Sequence, residues 1–413
     1  MARTFDIPAS YRSPIIGRVK QARRAADPLK RDLSPAILDF GPVRFTLARH
    51  FGFCFGVENA IEIAYKTLEA HPDRRIFFLS EMIHNPDVNT DLEDRGVRFI
   101  FTPDGKQLIP WSDLTPEDIV VVPAFGTTLE IQDALKAIDI DPYTYNTTCP
   151  FVEKVWTRSE ELGQAGFAVV VHGKAKHEET RATFSHSVQS APTVICRDLD
   201  ETETLCEVIR GNAEDGTFDR VFGGKCSDGF DPEQHLSRLG VVNQTTMLAA
   251  ETREIARRIR QALVDRFGED QIGEHFADTS DTLCYATNEN QNATYALVEE
   301  GADLSIVVGG YNSSNTSHIV DLCEQAMPTY FIRNADEIVS RDEIRHFNLL
   351  TRAVDTSRGW LPRTQARVAL TCGASCPDAI VDQVLNRVLS LFDDARSLED
   401  VLADYPVQEI EAT

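Results

Sequence analysis

The sequence predicts an α/β protein made of three similar repeats of about one hundred residues, each with a small parallel sheet. In each repeat a cysteine separates an apolar strand from a helical pattern, and the three cysteines are Cys54, Cys149 and Cys284. A second strand then ends at a nearly constant distance, 47, 47 and 48 residues after its cysteine. A third apolar strand always ends in a small polar turn.

The predicted elements follow the same order in each repeat: helix, strand, helix, strand, and a third strand before a last helix. In the first repeat we expect a helix over 57–68 and strands over 76–79 and 97–101. The corresponding strands of the other repeats are expected over 168–171, 193–196, 304–308 and 329–332. The polar turns lie at 126–128, 244–246 and 373–375, and helices are expected to resume at Leu129, Met247 and Asp378.

These repeats predict domains at 46–148, 149–283 and 284–390, between a basic N-terminal extension (1–45) and an acidic C-terminal tail (391–413). Residues 1–50 contain ten Lys/Arg and four Asp/Glu. We expect this basic arm to pack on the body of the protein rather than to serve as a transit peptide. The acidic tail from about Asp393 is predicted to be solvated surface.

The composition excludes several classes of protein. The 413 residues are 42% hydrophobic and 26% charged, which is enough for two to three globular domains. We find neither an apolar run of the roughly 18 to 20 residues that cross a bilayer nor an apolar signal core, so a soluble protein is expected. A formal net charge of −24 makes nonspecific nucleic-acid binding unfavourable.

Nine cysteines in a long chain without a secretion signal favour reduced thiols and a metal centre over disulfides. Cys54, Cys149 and Cys284 have Gly, Thr or Pro nearby and stand at predicted helix N-termini, which lower the pKa of a thiol. Their wide spacing excludes local zinc motifs, so we predict one shared site with three thiolate ligands. Zinc and an iron–sulfur cluster both remain open at this point.

The other cysteines have plainer interpretations. Three lie in apolar patterns and are predicted to be buried: Cys196, Cys206 and Cys323. Cys226, in a polar loop, is expected to be structural or incidental. Cys372 and Cys376 form a competing pair that could bind metal or form a redox disulfide.

Polar loops follow the predicted strands at the edge where parallel sheets bind ligands. With the helix N-termini they predict a pocket for a phosphate or diphosphate. Neither a Walker motif nor GxGxxG is present, so nucleotide binding is not indicated. Glu179 is either an acid/base carboxylate or an ordinary first-turn helix residue. The candidate anion ligands are His84, His177, Thr245, Ser313, Ser314, Asn315 and Ser375.

Eight motifs in order, spanning roughly residues 45 to 390, resemble the family of 4-hydroxy-3-methylbut-2-enyl diphosphate reductases. They consist mostly of glycine and polar residues, which makes a chance match implausible. The motifs are GFCFGVENAI (52–61), IHNPDV (83–88), TTCPFVEKVW (147–156), HGKAKHEET (172–180), NQTTM (243–247), DTLCYATNENQ (281–291), GGYNSSNTSH (309–318) and GASCPD (373–378).

The resemblance implies a three-domain trefoil around one 4Fe-4S cluster per chain, held by Cys54, Cys149 and Cys284 with one iron open. It implies reductive removal of the substrate's C4 hydroxyl, which gives isopentenyl and dimethylallyl diphosphates in the last step of the non-mevalonate pathway. Thr245 and Glu179 would manage the hydroxyl and its proton. The diphosphate would be held by His84, His177, Ser313, Asn315 and Ser375, with further hydrogen bonds from Ser314.

The same resemblance implies ferredoxin or flavodoxin as electron donor, a monomer or homodimer, and a cytoplasmic location, or the plastid stroma in a photosynthetic eukaryote. Phe125 stands where many bacterial members have histidine, so the diphosphate contact of that imidazole cannot be carried over to this chain. The motif around Phe125 is similar to the cyanobacterial and plant branch, which also carries an N-terminal extension. Two other classes remain: an iron–sulfur electron carrier or sensor, and a zinc hydrolase of a phosphorylated metabolite.

Overall fold

The computed structural model describes residues 4–279 and 282–406. These residues form two compact units. Unit 1 comprises Met1–Glu58, His84–Val88 and Ala286–Thr413, and unit 2 comprises Asn59–Ile83 and Asn89–Tyr285. Asp281 of the motif before Cys284, and residues 407–413 of the predicted acidic tail, lie outside the described residues.

The strands are short and mostly buried. In chain order they are β1 (Ala36–Asp39), β2 (Val43–Leu47), β3 (Ile76–Phe78), β4 (Arg98–Phe99), β5 (Ile119–Val121), β6 (Ala168–His172), β7 (Thr193–Cys196), β8 (Leu239–Asn243), β9 (Phe276–Ala277), β10 (Leu304–Val308), β11 (Thr329–Ile332), β12 (Glu343–Asn348), β13 (Ala353–Arg358) and β14 (Ala366–Cys372).

Helices separate most of these strands. In chain order they are α1 (Pro14–Ala26), α2 (Phe55–Ala70), α3 (Pro86–Asp94), α4 (Leu129–Lys136), α5 (Pro150–Gln164), α6 (Glu178–Ser187), α7 (Leu199–Arg210), α8 (Thr217–Phe222), α9 (Pro232–His235), α10 (Ala249–Phe267), α11 (Ile272–His275), α12 (Tyr285–Glu300), α13 (Ser314–Glu324), α14 (Asp378–Leu389) and α15 (Leu398–Leu402).

Unit 1 is built on a five-stranded sheet in the order β1-β2-β14-β10-β11. Four of its strands are parallel, and β1 pairs antiparallel with β2 at one edge. Strand β10, which is apolar except for Ser305 and completely buried, lies inside the sheet, as expected for a strand buried on both faces. Ile15, Ile16 and Val19 of α1 are buried in the same core. The prediction that the basic arm packs on the body is therefore confirmed for its described part.

The C-terminal residues cover the outer edge of β1. The Tyr405 hydroxyl lies 2.9 Å from both the amide nitrogen and the carbonyl oxygen of Ile37. Arg396 donates to the Asp39 carbonyl at 3.0 Å, and Val401 and Leu402 of α15 are buried in the unit 1 core. The prediction of a solvated tail is wrong for this segment, because its apolar side chains and Tyr405 contact the sheet edge.

Unit 1 also contains the antiparallel hairpin β12–β13. Phe347 of this hairpin stacks on Tyr311, with 4.5 Å between the ring centroids. The hairpin thus supports the loop that follows β10.

Unit 2 contains two parallel sheets, one in the order β4-β3-β5 and one in the order β7-β6-β8-β9. Separate apolar clusters cover them, around Phe77 for the smaller sheet and around Val170 and Val171 for the larger one. In the part of the chain that the structure describes, no helix combines the length and apolarity that a bilayer crossing requires.

The predicted α/β class with parallel pairing in three sheets is confirmed, except that the sheet of unit 1 also contains the antiparallel strand β1. Strands β7, β10 and β11 have the predicted bounds. Helix α10 begins at Ala249 rather than at Met247, because Met247 closes a turn onto the Gln244 carbonyl at 3.0 Å and Leu248 has extended backbone angles. Strands β1 and β2 share one sheet with the strands of the last repeat. The predicted domain boundaries remain a prediction.

Candidate functional site

The loop that carries Cys54 follows β2 and leads directly into α2. The Cys54 amide donates to the Ala374 carbonyl at 3.3 Å, and the Cys54 carbonyl accepts the Glu58 amide at 2.9 Å. Cys54 therefore occupies the N-terminus of α2, where the helix dipole favours a thiolate. Gly52 has φ +82°, and a Cβ there would lie 2.3 Å from Asp378 Oδ1, so only glycine fits this turn.

His84 is buried and joined to the loops that follow β10 and β14. Ser375 Oγ donates to the His84 carbonyl at 3.2 Å, and Asn312 Nδ2 lies 3.3 Å from His84 Nδ1. A Cβ on Gly310 would lie 2.4 Å from the His84 carbonyl oxygen. Glycine at this position lets the two backbone segments approach each other closely.

The N-terminus of α13 lies in the same group of loops. Ser313 caps this helix by accepting the Thr316 amide at 3.2 Å, and Asn315 Oδ1 accepts the Ala374 amide at 2.9 Å. Ser314, between them, is also buried. Helix N-termini present several amide groups to an anion.

Unit 1 therefore gathers part of the predicted site around Ala374. The hydrogen bonds of Cys54 and Asn315 converge on Ala374, and the next residue in the chain, Ser375, extends the group to His84. The predicted site residues of unit 1 are Cys54, His84, Ser313, Ser314, Asn315 and Ser375.

In unit 2, Glu179 is almost completely buried, with 1% of its surface exposed. It lies in the first turn of α6, whose N-cap is His177, and His177 Nδ1 accepts the Glu179 amide at 3.2 Å. The Glu179 carboxylate accepts a short hydrogen bond from the Thr245 amide. Both interpretations of Glu179 thus have support: it is a first-turn helix residue, and its carboxylate contacts another predicted site residue.

Gln244, which is not among the predicted site residues, organises the loop after β6. Its Oε1 accepts the Lys174 amide at 3.2 Å and the Thr180 hydroxyl at 2.9 Å. It is completely buried beside Thr245. The sequence feature that could have predicted this role is the position of Gln244 in the Asn-Gln-Thr-Thr turn, where a long amide side chain can bond neighbouring segments.

Cys149 is the N-cap of α5, and its amide donates to the Ala124 carbonyl at 3.0 Å. Phe125 follows Ala124 in the chain, and its ring forms an edge-on pair with the ring of His177, with 5.7 Å between the centroids. Position 125 therefore does lie beside a predicted anion ligand, although its side chain is apolar.

Cys284 immediately precedes α12, and its neighbours contact both β8 and α5. The Thr282 hydroxyl donates to Asn243 Oδ1 at 2.9 Å. Tyr285 packs edge-on against Phe151, with ring centroids 4.9 Å apart. The residues beside Cys149 and beside Cys284 are thus in contact within unit 2.

The three candidate cysteines share a partly exposed setting at helix N-termini, which suits metal-binding thiolates. Cys196, Cys206 and Cys323 are buried, as predicted, and Cys226 is partly exposed. Cys372 and Cys376 are also buried, and burial raises the pKa of the Cys376 thiol well above its usual value. This disfavours the thiolate that metal binding or disulfide exchange by Cys376 requires.

The structure does not show a completed metal centre. Within residues 4–279 and 282–406, no group of three or more His, Cys, Asp or Glu side chains is arranged to hold a metal ion. The predicted residues are divided between the two units, with those of unit 2 being Cys149, His177, Glu179, Thr245 and Cys284.

Burial raises the pKa of the acidic residues in the first turns of two cysteine-bearing helices. These residues are Glu58 in α2 and Glu153 in α5. For Glu58, Lys20 opposes this effect and Asp378 reinforces it.

Comparison with known proteins gives one consistent result. Residues 45–389 match the family model described as LytB protein. A Synechococcus protein named 4-hydroxy-3-methylbut-2-enyl diphosphate reductase is 39% identical over 358 residues, covering 86% of this chain and 87% of the relative. A Gloeobacter violaceus protein of the same name is 36% identical over 392 residues, covering 94% and 89% of the two chains.

Two solved structures share the fold. One, described as the terminal enzyme of the non-mevalonate pathway, has a TM-score of 0.50 and 23% identity, and the match covers 83% of this chain and 98% of that one. The other, a diphosphate reductase from Plasmodium falciparum, has a TM-score of 0.60 and 21% identity, with coverage of 84% and 87%.

Proposed function

The chain belongs to the LytB protein family, and we infer that it reduces (E)-4-hydroxy-3-methylbut-2-enyl diphosphate to isopentenyl and dimethylallyl diphosphates, the last step of the non-mevalonate isoprenoid pathway. The observation that carries this inference is the extent of the match. The family model spans residues 45–389, which include every predicted site residue from Cys54 to Ser375. Relatives more than 35% identical over most of their length have the same name.

We propose that Cys54, Cys149 and Cys284 hold one 4Fe-4S cluster and leave one iron open. The support is chemical: each thiol stands at the N-terminus of a long helix, and three thiolates with one open iron suit a cluster enzyme better than structural zinc, which takes four protein ligands. When bound, the cluster would supply electrons and a Lewis-acidic iron.

The loops around Ala374 in unit 1 are proposed to bind the diphosphate. Their hydroxyl, amide and imidazole groups can donate hydrogen bonds to phosphate oxygens, and the N-terminus of α13 adds oriented amides. In this proposal the ligands of unit 1 are His84, Ser313, Ser314, Asn315 and Ser375, and His177 of unit 2 completes the set.

Glu179 and Thr245 are proposed to handle the departing hydroxyl. Reduction of the C–O bond consumes two electrons and two protons, one leaving in water and one ending on a product carbon. The Thr245 amide orients the Glu179 carboxyl, while the Thr245 hydroxyl can bond the substrate oxygen. The buried setting of Glu179 keeps bulk water away from this proton transfer.

The electrons are proposed to come from a ferredoxin or flavodoxin, because no motif for a flavin or nicotinamide was found in the sequence. A cytoplasmic location, or the plastid stroma in a photosynthetic eukaryote, and a monomeric or homodimeric state complete the proposal.

The first test is anaerobic turnover of the hydroxymethylbutenyl diphosphate with dithionite-reduced viologen. We expect reductant oxidation coupled to formation of both five-carbon diphosphates, by protein containing about four irons and four sulfides per chain. An intact cluster without turnover would point to an electron carrier or sensor. Stoichiometric zinc, with phosphate release in the absence of reductant, would point to the hydrolase.

The second test is the substitution Glu179→Gln, which keeps the side-chain shape and removes the acid. We expect kcat to fall at least about 100-fold, a usual effect of losing a general acid, with the iron and sulfide content unchanged. Glu178→Gln is the matched control, since Glu178 is the neighbouring buried glutamate of α6 and bonds Ser80 instead. Equal losses in both variants would contradict an acid role that is specific to Glu179.

A further inference from the structure

Aromatic residues of the N-terminal arm pack on both sides of Cys54. The Phe5 ring lies edge-on to Phe55, with centroids 5.0 Å apart, and Tyr11 lies edge-on to Phe53 at 5.9 Å. Phe5 and Tyr11 are buried. Because Phe53 and Phe55 directly flank Cys54, the arm holds both neighbours of this thiol.

Lys20 of α1 contacts the same loop at Phe51, three residues before Cys54. Its ammonium donates to the Phe51 carbonyl at 2.7 Å, lies 4.3 Å from the centroid of the Phe51 ring, and pairs with Asp378 Oδ1 at 2.6 Å. Asp378 is the first residue of α14 and follows the Ser375 turn. Lys20 therefore joins the cysteine loop to the segment that carries a proposed diphosphate ligand.

The position of Gly52 shows how closely the cysteine loop approaches Lys20. A Cβ at position 52 would lie 2.8 Å from Lys20 Nζ. The loop between Phe51 and Cys54 thus runs directly against the Lys20–Asp378 ion pair.

The arm is itself anchored firmly. Ser13 Oγ accepts the Ile16 amide at 2.7 Å, and the Asp382 carboxylate accepts the Ile15 and Ile16 amides at 3.3 and 3.2 Å. Ile16 and Val19 are buried in the unit 1 core. The bonds to Asp382 fix the N-terminus of α1 against α14. Because the arm is fixed in this way, its contacts can restrict the position of the cysteine loop.

All of the arm residues precede residue 45, where the LytB match begins. We propose that residues 4–26 are a positioning element for Cys54, and that Lys20 is its main positioning residue. The Lys20 ammonium holds the loop through the Phe51 carbonyl, and its charge favours the reduced state of a cluster bound there. This rests on the proposed function only in taking Cys54 as a cluster ligand.

The test compares Lys20→Met with Lys20→Arg in the full-length, cluster-loaded protein. In Lys20→Met we expect amide hydrogen exchange of residues 51–55 to become at least about tenfold faster, because a charge-assisted hydrogen bond is lost. We also expect the midpoint potential of the cluster to become more negative. Lys20→Arg should restore the potential, since it keeps the charge.

Arg24→Met is the matched control, because Arg24 is an exposed cation on the same helix. It should leave the exchange unchanged and shift the potential less than Lys20→Met does. Tyr11→Leu is a second variant. It removes the ring that contacts Phe53 and should accelerate exchange over 51–55, but it removes no charge that would shift the potential of the cluster. Unchanged exchange and potential in Lys20→Met would overturn the proposal. A wild-type protein that binds no cluster would instead contradict the proposed function, while the exchange measurement would still test the arm.

Discussion

At the residue scale, Phe125 shows how an apolar side chain can serve a polar site. Its ring lies nearly perpendicular to the imidazole of His177, which is also the N-cap of α6 and accepts the Glu179 amide. The ring thus limits the orientations open to the imidazole. Edge-on aromatic contacts contribute about 0.5–1.5 kcal/mol beyond their buried area.

We therefore expect Phe125→Leu to raise KM for the diphosphate by about 2- to 12-fold, the equivalent of that energy, and to change kcat less. Phe125→Tyr keeps the ring and should retain most of the affinity. Steady-state kinetics with a viologen reductant would measure both. A Leu variant with wild-type KM would show that the ring does not orient His177.

The sequence selects candidate site residues, whose roles remain a prediction, but it does not give the contacts that each of them makes. Glycine-rich and polar motifs at strand ends were sufficient to select His84, Glu179 and Ser375 as candidates. The partners Asn312 and Asp378 depend on side-chain direction and on contacts between distant segments. A linear pattern of residue types carries neither kind of information.

At the element scale, the loop between β2 and α2 packs on α12 through His50. His50 Nδ1 lies 4.0 Å from Glu289 Oε2, and Lys30 Nζ pairs with the same oxygen at 3.0 Å. Burial lowers the pKa of His50 from 6.5 to about 4, against the opposing attraction of Glu289. The native state thus holds a neutral imidazole at this contact.

The folded pKa lies below the unfolded value, so the unfolded chain binds a proton first as the pH falls. The stability that depends on neutral His50 is complete above about pH 6.5 and is lost as the pH falls towards 4. We expect a loss of roughly 1–2 kcal/mol in the free energy of unfolding, after allowance for solvent screening. Urea unfolding of wild type and His50→Gln at pH 7, 6 and 5 would measure it, and parallel pH profiles would contradict this role.

Buried parallel strands were predictable because each is a short, mostly apolar run rich in β-branched residues, as in β10 and β7. The hairpin β12–β13 was missed because its second strand, Ala353–Arg358, is mostly polar and partly exposed. The pairing of β2 with β14 joins segments more than 300 residues apart, and local periodicity does not encode such a partner.

At the scale of the whole molecule, the net charge of −24 should govern encounters with charged reductants. We expect reduction by a cationic viologen radical to slow several-fold as ionic strength rises from about 0.02 to 0.2 M, because salt screens the attraction. Reduction by the dithionite-derived anion should accelerate over the same range. Stopped-flow records of cluster bleaching would measure both rates, and equal salt dependence for the two reductants would contradict this expectation.

The bonds from Tyr405 and Arg396 to β1 affect the tendency of the protein to self-associate. An outer strand with open amide and carbonyl groups is a template on which another chain can add a strand. Here the Tyr405 hydroxyl occupies both groups of Ile37, and Arg396 occupies the carbonyl of Asp39. We therefore expect the segment from Arg396 to Tyr405 to hinder strand addition by another chain, and proteolytic removal of this segment to make the protein prone to self-association before its chemistry is affected.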